Sequence, residues 1–249
     1  MHIELVDSLR CPHPHEDTWL VASVTRFDGR EVVEGTLGCP ACRRQFPVRG
    51  GEVDFTAGDG SGAGGEPPAA IPPAEGRDHG RASGEASDEA SDEASGEAPD
   101  DEASDEASDE GTFLRARALL ALAEPGGIVL LGGVHARHAE AFEDEGQVMT
   151  LLLNASHPPG GWGRPPSAMR AADGVPVASG ALRAAWLDRT TATPGILAAV
   201  ARGLRRGGRL VAPADASLPA GVRELARDAG EWVAEGEGGV SAPVALRRR

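Results

Sequence analysis

The sequence predicts an α/β protein in two folded parts: a small β-rich unit with a metal-binding pattern, then a larger unit in which strands alternate with helices. Three observations carry this. The only cysteines, Cys11, Cys39 and Cys42, cluster at the start of the chain with His13 and His15 beside the first. An acidic tract separates residues 1–55 from residues 112–249. Beyond it, apolar runs of strand length recur between stretches of helical pattern, the alternation of a mainly parallel sheet.

Residues 1–55 have strand character. The runs TWLVASVTRF and REVVEGTLG flank Asp28-Gly29, a strong hairpin signal, because a type I′ turn needs positive φ at both central positions. RQFPVRGGEVDF then reads as a short strand, a Gly50-Gly51 turn and another strand.

From Thr56 to Thr112 there is no Phe, Trp or Tyr, and Ile71 is the only large aliphatic residue. Its second half repeats Glu-Ala-Ser-Asp, and a helix there would stack Glu85, Glu89, Glu93 and Glu97 at repulsive i,i+4 positions. With nothing apolar to bury, residues 56–111 are expected to be a disordered spacer, spanning on the order of 40 Å as a coil. The segment from Gly84 to Glu110 holds 13 of the 39 acidic residues and no basic one, leaving 26 acidic against 24 basic elsewhere. The net charge of −15 therefore belongs to one tract, and neither folded part has the basic surface that nucleic-acid binding needs.

In residues 112–249, FLRARALLALAE reads as helix, GIVLLGG as a buried strand, HARHAEAFEDEG as helix and QVMTLLLN as strand. HPPGGWGRPP is a long loop that could cap a pocket. ALRAAWLDR contains a strand, PGILAAVARGLRRGG is a helix ended by glycine, and RLVAPA is a strand. AGVRELARDAG reads as helix, and EWVAEGE and SAPVALRR as final strands. No apolar run reaches membrane-spanning length and the N-terminus lacks a signal-peptide core, so the expected setting is cytoplasmic, without a membrane partner. The Ala/Gly-rich composition is that of a high-GC bacterial protein.

Three cysteines, two of them in Cys-x-x-Cys, suit metal better than disulfides. Structural zinc takes four Cys or His ligands. Cys39 and Cys42 flank Pro40-Ala41, a tight turn whose amides can bond the sulfurs. Cys11 lies 28 positions earlier with the Asp-Gly hairpin between, the layout of two knuckles brought together by a hairpin. Pro14 stands where a fourth cysteine would sit. The reach of imidazole favours His15 in its place. His13, Glu16, a water, or loss of the metal are the other readings.

With these residues in view, LVDSLRCP…LGCPACRRQFPVRGGEVDF resembles the small zinc-ribbon family of methyltransferase activators. Leu5, Leu9, Cys11, Pro12, Cys39, Cys42, Phe46, Pro47, Val48 and Gly51 match its pattern, over roughly a fifth of the chain, and Pro14 departs from it. The resemblance implies a module without chemistry of its own that pairs with a methyltransferase, either a separate protein or the C-terminal domain of this chain.

The C-terminal stretch GVPVASGALRAAWLDR…ILAAVARGLRRGGRLVAP is similar to the second half of class I S-adenosylmethionine-dependent methyltransferases, with Arg205 to Leu210 at the place of their LRPGGRL segment. The fold implied is Rossmann-like and methyltransferase-type, with a final antiparallel strand. In that family the first strand leads into an acid and a Gly-x-Gly-x-Gly loop, and the second ends in an acid for the ribose hydroxyls. Here Leu130 replaces the first acid, Gly132 and Gly133 remain, Val134 and Ala136 occupy later glycine positions, and Asn154 ends the second strand. Gly132, Gly133 and Asn154 are thus the residues left to hold S-adenosylmethionine, and the substitutions argue against its binding. Asp188 reads as a helix cap or surface charge, and His135 and His138 as solvated residues of a first helical turn. No catalytic residue is identified. The expected function is that of an interaction or regulatory protein, an activator-like zinc module fused to a non-catalytic methyltransferase-like domain. The alternative is an active methyltransferase carrying its activator in cis.

Overall fold

Both glycine turns of the N-terminal part form, but the type I′ pattern expected at Asp28-Gly29 occurs at Gly50-Gly51. A computed structural model of the chain describes residues 1–56, 111–155 and 166–238. Strands β1 (Val21–Asp28) and β2 (Glu31–Gly38) form the first hairpin, closed by Asp28↔Glu31. Only Gly29 has positive φ there, so the turn is not I′. Strands β3 (Gln45–Arg49) and β4 (Glu52–Asp54) are joined by Gly50-Gly51, both at positive φ, and this turn has the I′ pattern. A helix that the strand-like reading of this region missed, α1 (Ile3–Val6), precedes them.

The C-terminal part starts with helix α2 over 111–119. Strand β5 (Ile128–Gly132) leads into a 3₁₀ segment, Gly133–His138, and helix α3 (Ala139–Gly146). Then come β6 (Met149–Leu153), β7 (Ala168–Arg170), β8 (Leu182–Trp186), α4 (Pro194–Gly203), β9 (Leu204–Pro213), β10 (Val222–Arg227) and β11 (Glu231–Gly236). Strands β7-β6-β5-β8-β9 are parallel in that order, and β11 runs antiparallel between β9 and β10. This is an α/β sheet, parallel except for β11. The acidic tract, all of the loop His157–Pro166 but its last residue, and the expected strand Ser241–Arg248 lie outside the described residues. No helix among the described residues is long and apolar enough to cross a membrane.

Two helix expectations are corrected. AGVRELARDAG is strand β10, not helix. Val222, Leu225 and Ala226 have helical spacing, but in the fold Arg223 to Arg227 are all exposed. Pairing with β11 satisfies its backbone instead. The helix before RLVAPA ends at Gly203 rather than at Gly207-Gly208. A Cβ on Gly203 would come 2.7 Å from Val177 Cγ2 and 3.1 Å from Leu182 Cδ1, so the chain passes close to the start of β8 there and Leu204 joins it in register with Leu182. The next partner pair is Ala184↔Arg209, which makes Arg205 to Gly208 a bulge within β9.

The eleven strands form one continuous sheet, β1-β2-β3-β4-β7-β6-β5-β8-β9-β11-β10. The join is the parallel pairing of β4 with β7, Glu52↔Ala168, Val53↔Met169 and Asp54↔Arg170. β5 is buried on both sides. Ile128 and Leu130 face one apolar layer, and Val129 and Leu131 face the other with α2 and α3. The first layer also contains Met1, Leu5, Leu9, Leu37, Phe46 and Val53. The crossover from β7 to β8, residues 171–181, carries no helix. The N-terminal segment fills the vacated layer. Leu9 bridges to Val177, the Arg10 amide donates to the Pro176 carbonyl at 2.8 Å, and the Ala178 amide donates to the Ser8 carbonyl at 2.8 Å. Full burial of a Leu or Phe contributes about 1.5–3 kcal/mol, so this shared layer holds residues 1–55 on the α/β sheet.

Candidate functional site

Two places in this fold concentrate chemistry: the paired knuckles of the N-terminal part and the crevice where the parallel sheet reverses its winding.

At the knuckles, Cys39 begins a tight turn in which the Arg43 amide donates to the Cys39 carbonyl at 2.8 Å and the Cys39 amide to the Arg44 carbonyl at 2.9 Å. Arg43 takes positive φ to close it. The turn folds Cys42 back so that its amide reaches the Cys39 sulfur at 3.5 Å. The first knuckle is held by the Cys11 amide on the Thr18 carbonyl. The sulfurs of Cys11 and Cys42 are 3.6 Å apart, and His15 Nε2 lies 3.4 Å from the Cys39 sulfur. The ligand atoms of Cys11, His15, Cys39 and Cys42 all lie within 4.8 Å of one another, and the four can hold a metal ion. His15 Nδ1 is 2.6 Å from the Glu16 carbonyl oxygen. A proton on Nδ1 makes that contact and leaves Nε2 with its lone pair toward the sulfurs, the tautomer that metal ligation requires. His13 instead stacks on Phe46, with ring centres 6.1 Å apart and planes at 13°.

The thiols differ electrically. Burial pushes Cys39 up, but the Cys42 and Ala41 amides and the neighbouring thiols donate to its sulfur and bring it down to about 7. Burial, reinforced by the two neighbouring sulfurs, pushes Cys11 up to about 12. One thiolate at Cys39 is therefore favoured first, and a bound cation would draw the remaining protons off.

At the second place, the chain proceeds outward from β5 through β6 and β7, then returns to lay β8 on the other side of β5. Doubly wound sheets hold ligands in the crevice outside the carboxyl ends of the strands at such a reversal. At this reversal the Asp188 carboxylate lies directly against Gly133. Its carboxylate accepts from the Val134 amide at 3.0 Å, the Thr190 amide at 3.0 Å and hydroxyl at 2.8 Å, and the Thr191 amide at 2.9 Å and hydroxyl at 2.7 Å. Burial raises the Asp188 carboxyl, but these donors outweigh it and hold it below the ordinary carboxylate range. Gly133 has φ +58, and a Cβ on it would collide with the Asp188 carboxylate. A Cβ on Gly132 would collide with the Thr191 hydroxyl. Asn154 also takes positive φ, and its amide group pairs twice with the Ala171 backbone, at 2.9 and 3.0 Å. It staples the ends of β6 and β7 together.

The histidines are not solvated. His138 is buried, and His135 stacks on Trp186 with ring centres 3.7 Å apart and planes at 12°. Burial pushes the His135 imidazole down to about 4, so it is neutral near pH 7. Asp188 is likewise not a surface charge, being only 8 % exposed. The neighbouring LDRTT sequence gave one available signal, two hydroxyl residues within three positions of an acid, the composition of a side-chain turn.

No protein-family model matches the sequence, and no curated protein matches it. The fold is similar to a complex between the Haloferax volcanii Trm112 methyltransferase activator and a methyltransferase, at 13% identity and TM-score 0.37, over 52% of this chain and 76% of that one. It is similar to the antibiotic-resistance methyltransferase Kmr, at 18% identity and TM-score 0.33, over 51% and 93%. It is also similar to Burkholderia thailandensis 1,6-didemethyltoxoflavin-N1-methyltransferase, at 21% identity and TM-score 0.31, over 54% and 65%.

Proposed function

We propose that the chain is an interaction protein, in which a zinc-holding ribbon is built onto a methyltransferase-like domain that does not use S-adenosylmethionine. The carrying observation is the Asp188 carboxylate seated at the switch point on five internal donors. A cofactor entering that crevice would have to displace a charge that already has its partners. The glycines there are matched to Asp188 and Thr191, and Asn154 is engaged by Ala171. The residues do not fit the cofactor.

Zinc is the ion the ribbon donors suit. Tetrahedral zinc with Zn–S near 2.3 Å and Zn–N near 2.05 Å sets sulfur–sulfur edges of about 3.8 Å and sulfur–nitrogen edges of about 3.6 Å. The separations of 3.6 Å for Cys11–Cys42 and 3.4 Å for Cys39–His15 are close to those edges. Three thiols and an imidazole select a borderline-soft cation over magnesium or calcium. Three cysteines and a histidine with no open position make a structural site. The activator role that the ribbon resemblance implies would then be exerted on the domain it is joined to or on a partner.

One observation favours the alternative of an active methyltransferase with its activator in cis: the ribbon is continuous with the parallel sheet through β4 and β7. Titration calorimetry of the zinc-loaded full chain with S-adenosylmethionine separates the two. No heat of binding at low-micromolar cofactor is expected, and saturable low-micromolar binding would replace this reading with the enzymatic one.

A further inference from the structure

The three sulfurs of the ribbon have unequal surroundings. Cys39 is the most sheltered. It is 2 % exposed, and its sulfur accepts from the Cys42 and Ala41 amides. The Cys11 sulfur accepts from the His13 amide. Among the described residues, no main-chain amide donates to the Cys42 sulfur, and Cys42 is only partly buried.

With zinc in place all three are thiolates, and each amide donor then draws electron density from the sulfur it reaches. Cysteine oxidation follows thiolate character and exposure, and it stays reversible where a second thiol stands beside the first. Both criteria select Cys42, which is open to solvent and lacks amide donors. The Cys11 sulfur, 3.6 Å away, is the second thiol. The Cys39 sulfur is buried and committed to two amides, which makes it the poorer partner.

We infer that the ribbon is a peroxide-sensitive site, in which Cys42 is oxidised and Cys11 resolves it to a disulfide across the two knuckles, expelling the zinc. The Cys42 thiolate attacks one peroxide oxygen. The S–O bond forms, the O–O bond breaks, and hydroxide leaves, giving a sulfenic acid. The Cys11 thiolate then attacks the Cys42 sulfur. The S–S bond forms, the S–O bond breaks, and a second hydroxide leaves. Two thiolates lose two electrons and the peroxide gains them. Cys39 and His15 alone are too few to keep a structural zinc, which takes four ligands. Cys11 also follows Arg10, whose amide donates to the Pro176 carbonyl, so the change reaches the layer between ribbon and sheet.

The inference rests on the zinc reading of the ribbon, and the test reads the two separately. Zinc is first measured on the purified full chain. The zinc-loaded chain is then treated with hydrogen peroxide, alkylated with iodoacetamide and digested with trypsin. Trypsin cuts after Arg10, Arg26, Arg30 and Arg43, so Cys11 leaves on one peptide and Cys39 and Cys42 together on another. The expected product joins these two peptides through Cys11 and Cys42, with Cys39 alkylated. Zinc captured by a chromogenic chelator should match the disulfide mole for mole, falling from about one per chain toward none. Dithiothreitol with added zinc should restore it. In the untreated zinc-loaded chain, iodoacetamide should label Cys42 before Cys39. A chain that holds no zinc would overturn the zinc reading and this inference with it. A chain that holds zinc but pairs Cys39 with Cys42 or with Cys11, links to a second chain, or keeps all three thiols and its zinc under peroxide would overturn this inference alone.

Discussion

Replacing Asp188 by alanine removes the acceptor of five hydrogen bonds and leaves the amides of Val134, Thr190 and Thr191 facing an emptied site. A hydrogen bond to a charged group contributes about 1.5–3 kcal/mol. The five share one carboxylate and do not add, and a broken buried network of this kind costs about 3–5 kcal/mol. For a chain of this size each kcal/mol shifts the melting temperature by about 2–4 °C, so the expected drop is about 6–20 °C near neutral pH. Asp188→Asn keeps one oxygen but turns an NH2 toward donors, and should lose about 1.5–3 kcal/mol. The effect depends on pH in a defined direction. The folded carboxyl lies below its ordinary value, so its contribution is full above the unfolded pKa and is lost as pH falls through the folded one. The gap between wild type and Asp188→Asn should be complete at pH 7 and narrow below about pH 4. Differential scanning calorimetry at both pH values measures it. A drop under about 2 °C for Asp188→Ala, or a gap that does not narrow in acid, would refute the assignment of Asp188 as the internal ligand of the switch point.

Elemental analysis of the purified full chain should give about one zinc per chain, and His15→Ala should weaken retention more than His13→Ala; the reverse order would make His13 the ligand. Removing the metal with a strong chelator should loosen more than residues 1–55, because Leu9, Val53 and Leu130 lie in one apolar layer. Amide exchange in β5 and β8 should accelerate with that in β2 and β3, and unchanged protection of β5 would show that the two parts melt separately. Arg183 is buried and donates to the carbonyls of Glu124, Gly126 and Ala121, so Arg183→Met should cost about 2–4 kcal/mol, read as a lower melting temperature. A loss under about 1 kcal/mol would mean that water replaces the guanidinium there.

What could be read directly from the residues was local. The spacing from Cys11 to Cys39 and Cys42, with a histidine near the first, is enough to bring four ligand atoms together, because each knuckle closes within a few bonds and one hairpin spans the gap. The runs that became β5, β6, β8 and α4 were legible because a strand buried on both faces or an amphipathic helix writes its surroundings into its own pattern. The tertiary structure decided whatever depends on a partner far along the chain. Strand β7 has three residues, too few for any period, and exists because β4 and β6 flank it. β10 has a sequence that suits either helix or strand, and the pairing offered by β11 settles it. Residues 1–55 and 112–249 looked separable by composition, yet Val53 pairs beside Met169 and Leu9 beside Val177, since the crossover without a helix left a face of the sheet to cover. The glycines at 132 and 133 are the same residues whether they make room for a ligand or for a side chain. Asp188 occupies that room, and only the fold brings it there from more than fifty residues away.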